Sequence, residues 1–119
     1  MRSLVPGTRQ PFAGTQKTCL IIETPDALRY LDRWTTRPSI VMARFRDISP
    51  SLIERVHPDL VLCPLFATGF DALDVLHRLG ETGLTLRVGV LSAALPNRSM
   101  VERELQSHAE GLEVELLTL

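Results

Sequence analysis

Two rhythms of apolar and polar positions alternate along this chain. Lys17 to Ile22 (KTCLII) is short and almost wholly apolar, Ser39 to Phe45 (SIVMARF) is apolar except towards its end, and Leu60 to Cys63 (LVLC) is apolar throughout. Such runs, bounded by turn residues, predict strands covered on both faces, as parallel sheets require. Gly83 to Ser92 (GLTLRVGVLS) holds a fourth strand, and Leu112 to Leu119 (LEVELLTL) alternates cleanly as a fifth. The intervening segments carry helical spacing: Ala27, Leu28, Leu31 and Trp34; Leu52, Ile53 and Val56; Ala72, Leu73, Val75, Leu76 and Leu79; Val101, Leu105 and Ala109.

Punctuation supports the same division. Thr24-Pro25-Asp26 predicts a helix start with Thr24 as cap and Pro25 in the first turn, and the helix runs to about Trp34. Ser49-Pro50 repeats the device. The third helix stops at Gly80; the fourth begins near Asn97 or Ser99, where Ser99 and Glu102 fit a capping box, and stops at Gly111. Five strands alternating with four helices predict an α/β fold, an open parallel five-stranded sheet wound by right-handed crossovers. Residues 1–16 show no periodicity and read as a flexible arm, with Leu4, Val5 and Phe12 the residues in it that could dock; 17–119 form one domain.

Composition narrows the function classes. At 45% hydrophobic and 23% charged the chain is globular, and its net charge of −1 gives no overall attraction to nucleic acid or anionic membrane. Lys17 is the only lysine. No run reaches the roughly 18 apolar residues of a membrane span, and the amino end lacks the apolar core of a secretory signal. Cys19 falls early in the first strand and Cys63 late in the third, at opposite ends of a parallel sheet, so both read as small buried hydrophobes in a reducing, cytoplasmic setting.

The stretch His57–Leu79, HPDLVLCPLFATGFDALDVLHRL, carries the most specific signal. Without a gap, it resembles the third strand and third helix of response-regulator receiver (CheY-like) domains, and Leu91-Ser92-Ala93 fits the same family. The resemblance implies a flavodoxin-like sheet of order 2-1-3-4-5 and a role in two-component signal transduction. In that family an acidic pair follows strand one, a phospho-accepting aspartate follows strand three, a hydroxyl follows strand four and a lysine follows strand five. Carried onto this chain, the pair becomes Glu23-Thr24, the acceptor becomes Pro64, the hydroxyl is Ser92, and the lysine has no counterpart. One carboxylate is a poor site for a hard divalent cation, and proline can accept no phosphoryl group. The implied protein is a degenerate pseudo-receiver whose vestigial pocket comprises Glu23, Thr24, Pro64, Thr68 and Ser92. It uses no metal or cofactor, is no enzyme, and regulates by binding a protein. The family's usual partner surface maps to Arg98–Leu119, with Arg98, Arg103, Leu117 and Leu119 as its candidate residues. The alternative is a flavodoxin-like module that binds a small molecule at the crevice near Glu23, Thr24, Thr68 and Ser92.

The family also closes with a fifth helix, for which this chain has no matching segment. Alternation then leaves one side of the last two strands polar, with Arg87 expected across from Glu113 or Glu115, and Leu117 and Leu119 on the glutamates' side. Either the arm covers that face or a partner does, a second copy of the chain being one candidate. The remaining chemistry-bearing residues have plainer readings. His57 and Asp59 precede the third strand, at the wrong edge of the sheet. His77 and His108 lie on polar helix faces and read as solvated, and Asp74 with Arg78 reads as an i, i+4 surface pair. Phe66 and Phe70 are core plugs or an exposed tip. Arg44-Phe45-Arg46 is a solvated strand end rather than a nucleic-acid stripe.

Overall fold

Burial decides which of these runs become strands. In the computed structural model, which describes residues 18–109 and 111–119, the two most apolar runs are β1 (Thr18–Ile22) and β3 (Leu60–Pro64). They pair in parallel, Cys19 opposite Leu60 and Ile21 opposite Leu62. The edge strand β2 (Ser39–Ala43) flanks β1. On the other side, β6 (Leu86–Ser92) flanks β3 and is followed by β7 (Leu112–Thr118), to give one five-stranded parallel sheet in the order β2-β1-β3-β6-β7. This differs in detail from the expected 2-1-3-4-5: a two-stranded antiparallel hairpin, β4 (Phe66–Ala67) and β5 (Phe70–Asp71), is inserted after β3. The arm assigned to residues 1–16, and Lys17, lie outside the described residues.

Helices cover the two faces unequally. On one side α2 (Pro50–Val56), α3 (Ala72–Gly80) and α4 (Arg98–Ser107) bury Ile53, Val75, Leu76, Leu79 and Leu105 against Leu20, Val61, Cys63, Val88 and Val90. On the other side α1 (Asp26–Leu31) buries Ala27 and Leu31 against Cys19, Ile21, Leu60 and Leu62. The cysteines face opposite sides, both buried and both free thiols.

Past α1, the second face turns polar as the alternation predicts. Arg87 stands opposite Glu113 in register, with Nε 3.4 Å from Oε1. Both side chains retain solvent contact, which holds such a pair to about 0–1 kcal/mol. Leu117 is buried here because Gly89 makes room: a Cβ on Gly89 would come within 2.6 Å of Leu117 Cδ1 and 2.8 Å of Leu62 Cδ2.

Helix ends follow local hydrogen bonding rather than motif spelling. Ser49 caps α2 as expected, accepting from the Leu52 N–H at 3.1 Å, with Pro50 in the first turn. Thr24 does not cap α1; Pro25 is the cap residue and makes no side-chain bond. The helix also ends short of Trp34, because its last turn tightens into the bonds Arg33 N–H to Tyr30 O and Trp34 N–H to Leu31 O. The capping box expected at Ser99 and Glu102 belongs instead to α3. There Asp71 Oδ1 accepts from the Asp74 N–H at 3.0 Å and Asp74 Oδ2 accepts from the Asp71 N–H at 2.9 Å. That commitment replaces the expected pairing of Asp74 with Arg78. Arg78 turns to the Ile48 carbonyl and lies over the Phe45 ring, 4.6 Å from its centroid.

Glu102 has a different task. In β7 the even-numbered residues aim their backbone groups away from β6, at the outer edge of the sheet. Three side chains of α4, spaced four apart, meet them. Gln106 Nε2 donates to Leu112 O at 3.2 Å and its Oε1 accepts from the Val114 N–H at 3.3 Å. Glu102 Oε2 accepts from the Leu116 N–H at 3.0 Å. Arg98 donates to the Leu116 carbonyl through Nη2 and to the Thr118 hydroxyl through Nη1 at 2.9 Å. A polar stripe on a helix therefore supplies the donors and acceptors of an absent neighbouring strand, one of the ways a sheet edge is protected from pairing with other chains.

Candidate crevice at the carboxyl edge of the sheet

Because β1, β3 and β6 are adjacent and parallel, their carboxyl ends open onto one edge, where ligands of open α/β sheets bind. Glu23, Thr24, Pro64 and Ser92 all sit there. The hydrogen bonds of Glu23 and Ser92 run to the backbone nearby rather than to one another.

Glu23 leaves β1 in the left-handed region (φ 45°). Its N–H donates to Ala43 O at 3.1 Å, and its carboxylate accepts from the Phe45 N–H at 2.8 Å. This carboxylate is a clamp that ties the end of β1 to the 3-10 turn Phe45–Asp47 after β2. The segment Arg44-Phe45-Arg46 is thus a turn start rather than a strand end. Thr24 is buried, and its carbonyl accepts from the Ala27 N–H at the start of α1. Pro64 ends β3 opposite Leu91, and the next residue, Leu65, donates its N–H to Leu91 O. Ser92 is buried; its hydroxyl donates to the Ala93 carbonyl and its own carbonyl accepts from the Leu119 N–H.

Thr68 lies in the turn of the hairpin. With Glu23, Arg44, Arg46 and Gly69 it lines an open depression of about 450 Å³. Of the five residues assigned to the vestigial pocket, this depression takes in Glu23 and Thr68 alone. Behind it Phe70 is buried and stacks on Phe45, centroids 4.9 Å apart. The two phenylalanines divide the roles left open for them: Phe70 is a plug, and Phe66 is a tip with 76% of its surface exposed. Phe66 rims an apolar groove of about 260 Å³ between the hairpin and α4, with Met100 beside it.

The four candidate partner residues also separate. Arg98 is committed to the β7 edge, and Arg103 lines the same groove between α4 and β7. Leu117 is buried on the α1 side of the sheet, and Leu119 is partly exposed. The buried Leu117 therefore forms no surface patch with the other three.

Histidines behave differently from the reading given above. His57 ends α2 at the opposite edge of the sheet, as expected. Asp59 is there too, accepting from the Thr18 N–H at 2.9 Å. His77 and His108, however, are brought together by the packing of α3 against α4. His77 Nε2 lies 3.2 Å from His108 Nδ1, and His108 Nε2 lies 3.3 Å from Glu104 Oε2. The pairing links residues 31 positions apart, and each histidine alone sits on an ordinary polar face. Of the two contacts, only the i, i+4 spacing of Glu104 and His108 is visible in the sequence.

Among the described residues no group of three or more His, Cys, Asp or Glu side chains is arranged to hold a metal ion, and no helix is long and apolar enough to cross a membrane. Burial pushes both thiols, Cys19 and Cys63, from 9.0 up to about 12. A thiol so raised by burial carries far less of the reactive thiolate at a given pH. Native protein at pH 8 should therefore resist a thiol-modifying reagent that titrates both cysteines in denaturant. Prompt reaction of either in the native state would contradict the packing described here. Comparison with protein-family models and with curated proteins finds no match to this chain.

Proposed function

We propose that this chain is a receiver-like regulatory domain from which the phosphorylation switch has been lost, and that it signals in the cytoplasm by binding another protein. The observation that carries the reading is the state of the carboxyl-edge crevice. Pro64 stands where the family resemblance places the acceptor aspartate, and the remaining acidic side chain, Glu23, is spent on the Phe45 N–H. A hard divalent cation asks for several oxygen ligands on one position. The crevice offers a proline, a hydroxyl engaged with its own backbone and a carboxylate turned towards β2. The scaffold that positions those loops, a parallel five-stranded α/β sheet, is intact. On this reading no catalytic step takes place, and the domain's output is an exposed surface. Among the described residues, the part of the second face over β6 and β7 that α1 does not reach, where Glu113 is about half exposed, supplies one.

Addition of Mg²⁺ with beryllofluoride, a phosphoryl mimic, tests the proposal by backbone amide shifts. No saturable shifts are expected at residues 23, 64 and 92. Specific, saturable shifts there would overturn the reading, since they require a working acceptor pocket.

One observation favours a second reading, a small-molecule module. The depression at Glu23 and Thr68 carries Arg44 and Arg46 on its rim, which suits an anionic ligand with a polar body. Saturable shifts confined to residues 44–46 and 68–69 on screening anionic metabolites would favour it.

A further inference from the structure

We propose that His77 and His108 form a two-imidazole site for a borderline divalent cation of the Zn²⁺ class, with Glu104 as the outer-sphere carboxylate. The site is independent of the crevice and of the receiver reading.

Three features support it. The first is spacing. Two nitrogens each about 2.0–2.1 Å from a tetrahedral zinc stand about 3.3–3.4 Å apart, and His77 Nε2 and His108 Nδ1 are already 3.2 Å apart. The second is the tautomer. A carboxylate only accepts, so its contact with Glu104 places the proton of neutral His108 on Nε2 and leaves the Nδ1 lone pair facing His77. A histidine ligand whose second nitrogen is held by a carboxylate is a recurrent metal-site arrangement. The third is support. His77 stands on α3 between the fully buried Leu76 and Leu79, and His108 is the residue that ends α4, held between the buried Leu105 and Ala109. The nitrogens are thus brought into range before any ion arrives, while His77 remains exposed and accessible.

Without metal, His77 Nε2–H donates to His108 Nδ1. On binding, neutral His77 moves its proton to the outward Nδ1, and both facing lone pairs go to the ion. Water completes the coordination, so the site clips α3 to α4 rather than enclosing the ion. Imidazole ligands select Zn²⁺, Cu²⁺ or Ni²⁺ over Mg²⁺ and Ca²⁺. The buried thiols cannot compete for it, being inside the core on opposite faces of the sheet.

The test is a Zn²⁺ titration of the full chain, followed by calorimetry and by thermal unfolding, with Mg²⁺ in parallel. One Zn²⁺ per chain should bind saturably at sub-millimolar concentration and raise Tm by about 5 °C or more at large excess over Kd. Mg²⁺ should do neither. His77→Gln and His108→Gln should each abolish both effects, Glu104→Gln should weaken binding about 10–100-fold, and His57→Gln should leave it unchanged. In unmutated protein the imidazole resonances of His77 and His108 should move and those of His57 should not, a readout that does not depend on the variants folding. Absence of saturable binding, or binding that survives both histidine substitutions, would overturn the proposal.

Discussion

Leu76→Ala is expected to lower the unfolding free energy by about 3–4 kcal/mol, while Leu117→Ala costs about 1–2 kcal/mol. The two leucines are both buried, and their surroundings set the difference. Leu76 has no exposed surface and belongs to the larger core, between the sheet and a layer of three helices. Its loss removes the transfer free energy of the side chain and leaves a cavity whose walls are held by strands below and by α2 and α4 to either side. Leu117 lies on the face that α1 covers only in part, above Gly89. Among the described residues α1 is the one helix on this side, so the neighbouring side chains are freer to close on the space it leaves and the cavity contribution is smaller. Against a total stability of about 5–15 kcal/mol, the first substitution consumes a large share and the second does not. Urea titrations with unchanged slope would report the two costs as midpoint shifts. Equal costs would mean that the α1 side is as closed as the other.

Replacement of Arg98, Glu102 and Gln106 together by alanine should cost about 2–4 kcal/mol and make the protein associate more than the unmutated chain does. Four backbone groups of β7, on Leu112, Val114 and Leu116, lose their side-chain partners. Each such bond is worth a net ~0.5–1.5 kcal/mol, and water replaces part of it at this half-open edge. The larger consequence is the edge itself, seven residues long with Leu112, Val114 and Leu116 apolar on one face. Unsatisfied strand edges pair with other chains. Denaturation gives the first quantity, and sedimentation at increasing concentration gives the second. Arg103→Ala, an exposed change on the same helix, should stay within about 0.5 kcal/mol and leave the sedimentation unaltered. A triple variant that sediments as the unmutated protein does would show that the stripe does not guard the edge.

The sequence carried the scaffold because the scaffold is periodic. Four-residue apolar runs such as Leu60–Cys63 and stripes such as Val75, Leu76 and Leu79 declare their class locally, and the strands and helices fall close to where the pattern puts them. The hairpin β4–β5 escaped notice because two residues per strand cannot show an alternation. The α3 cap escaped because Asp74 fills the place where a capping box usually has Glu or Gln. At the crevice, the types of Glu23, Pro64 and Ser92 were legible but their engagements were not. That the Glu23 carboxylate would turn to the Phe45 N–H depends on a left-handed residue at the end of β1, which no residue type announces. The His77–His108 pair and the α4 stripe depend on which helices and strands become neighbours, and they become readable only when topology is known.

The strand order has one more consequence, for synthesis of the chain. β2, β1 and β3 contain the earlier half of the sequence and can assemble while the remainder is still being made. Until β6 is available, the far side of β3 offers the backbone of Val61 to Pro64 with apolar residues on both faces and no neighbour. The strand that later becomes the centre of the sheet is therefore, in the nascent chain, its stickiest margin, and a pause after β3 has emerged but before β6 follows it would leave the half-made protein dependent on a chaperone.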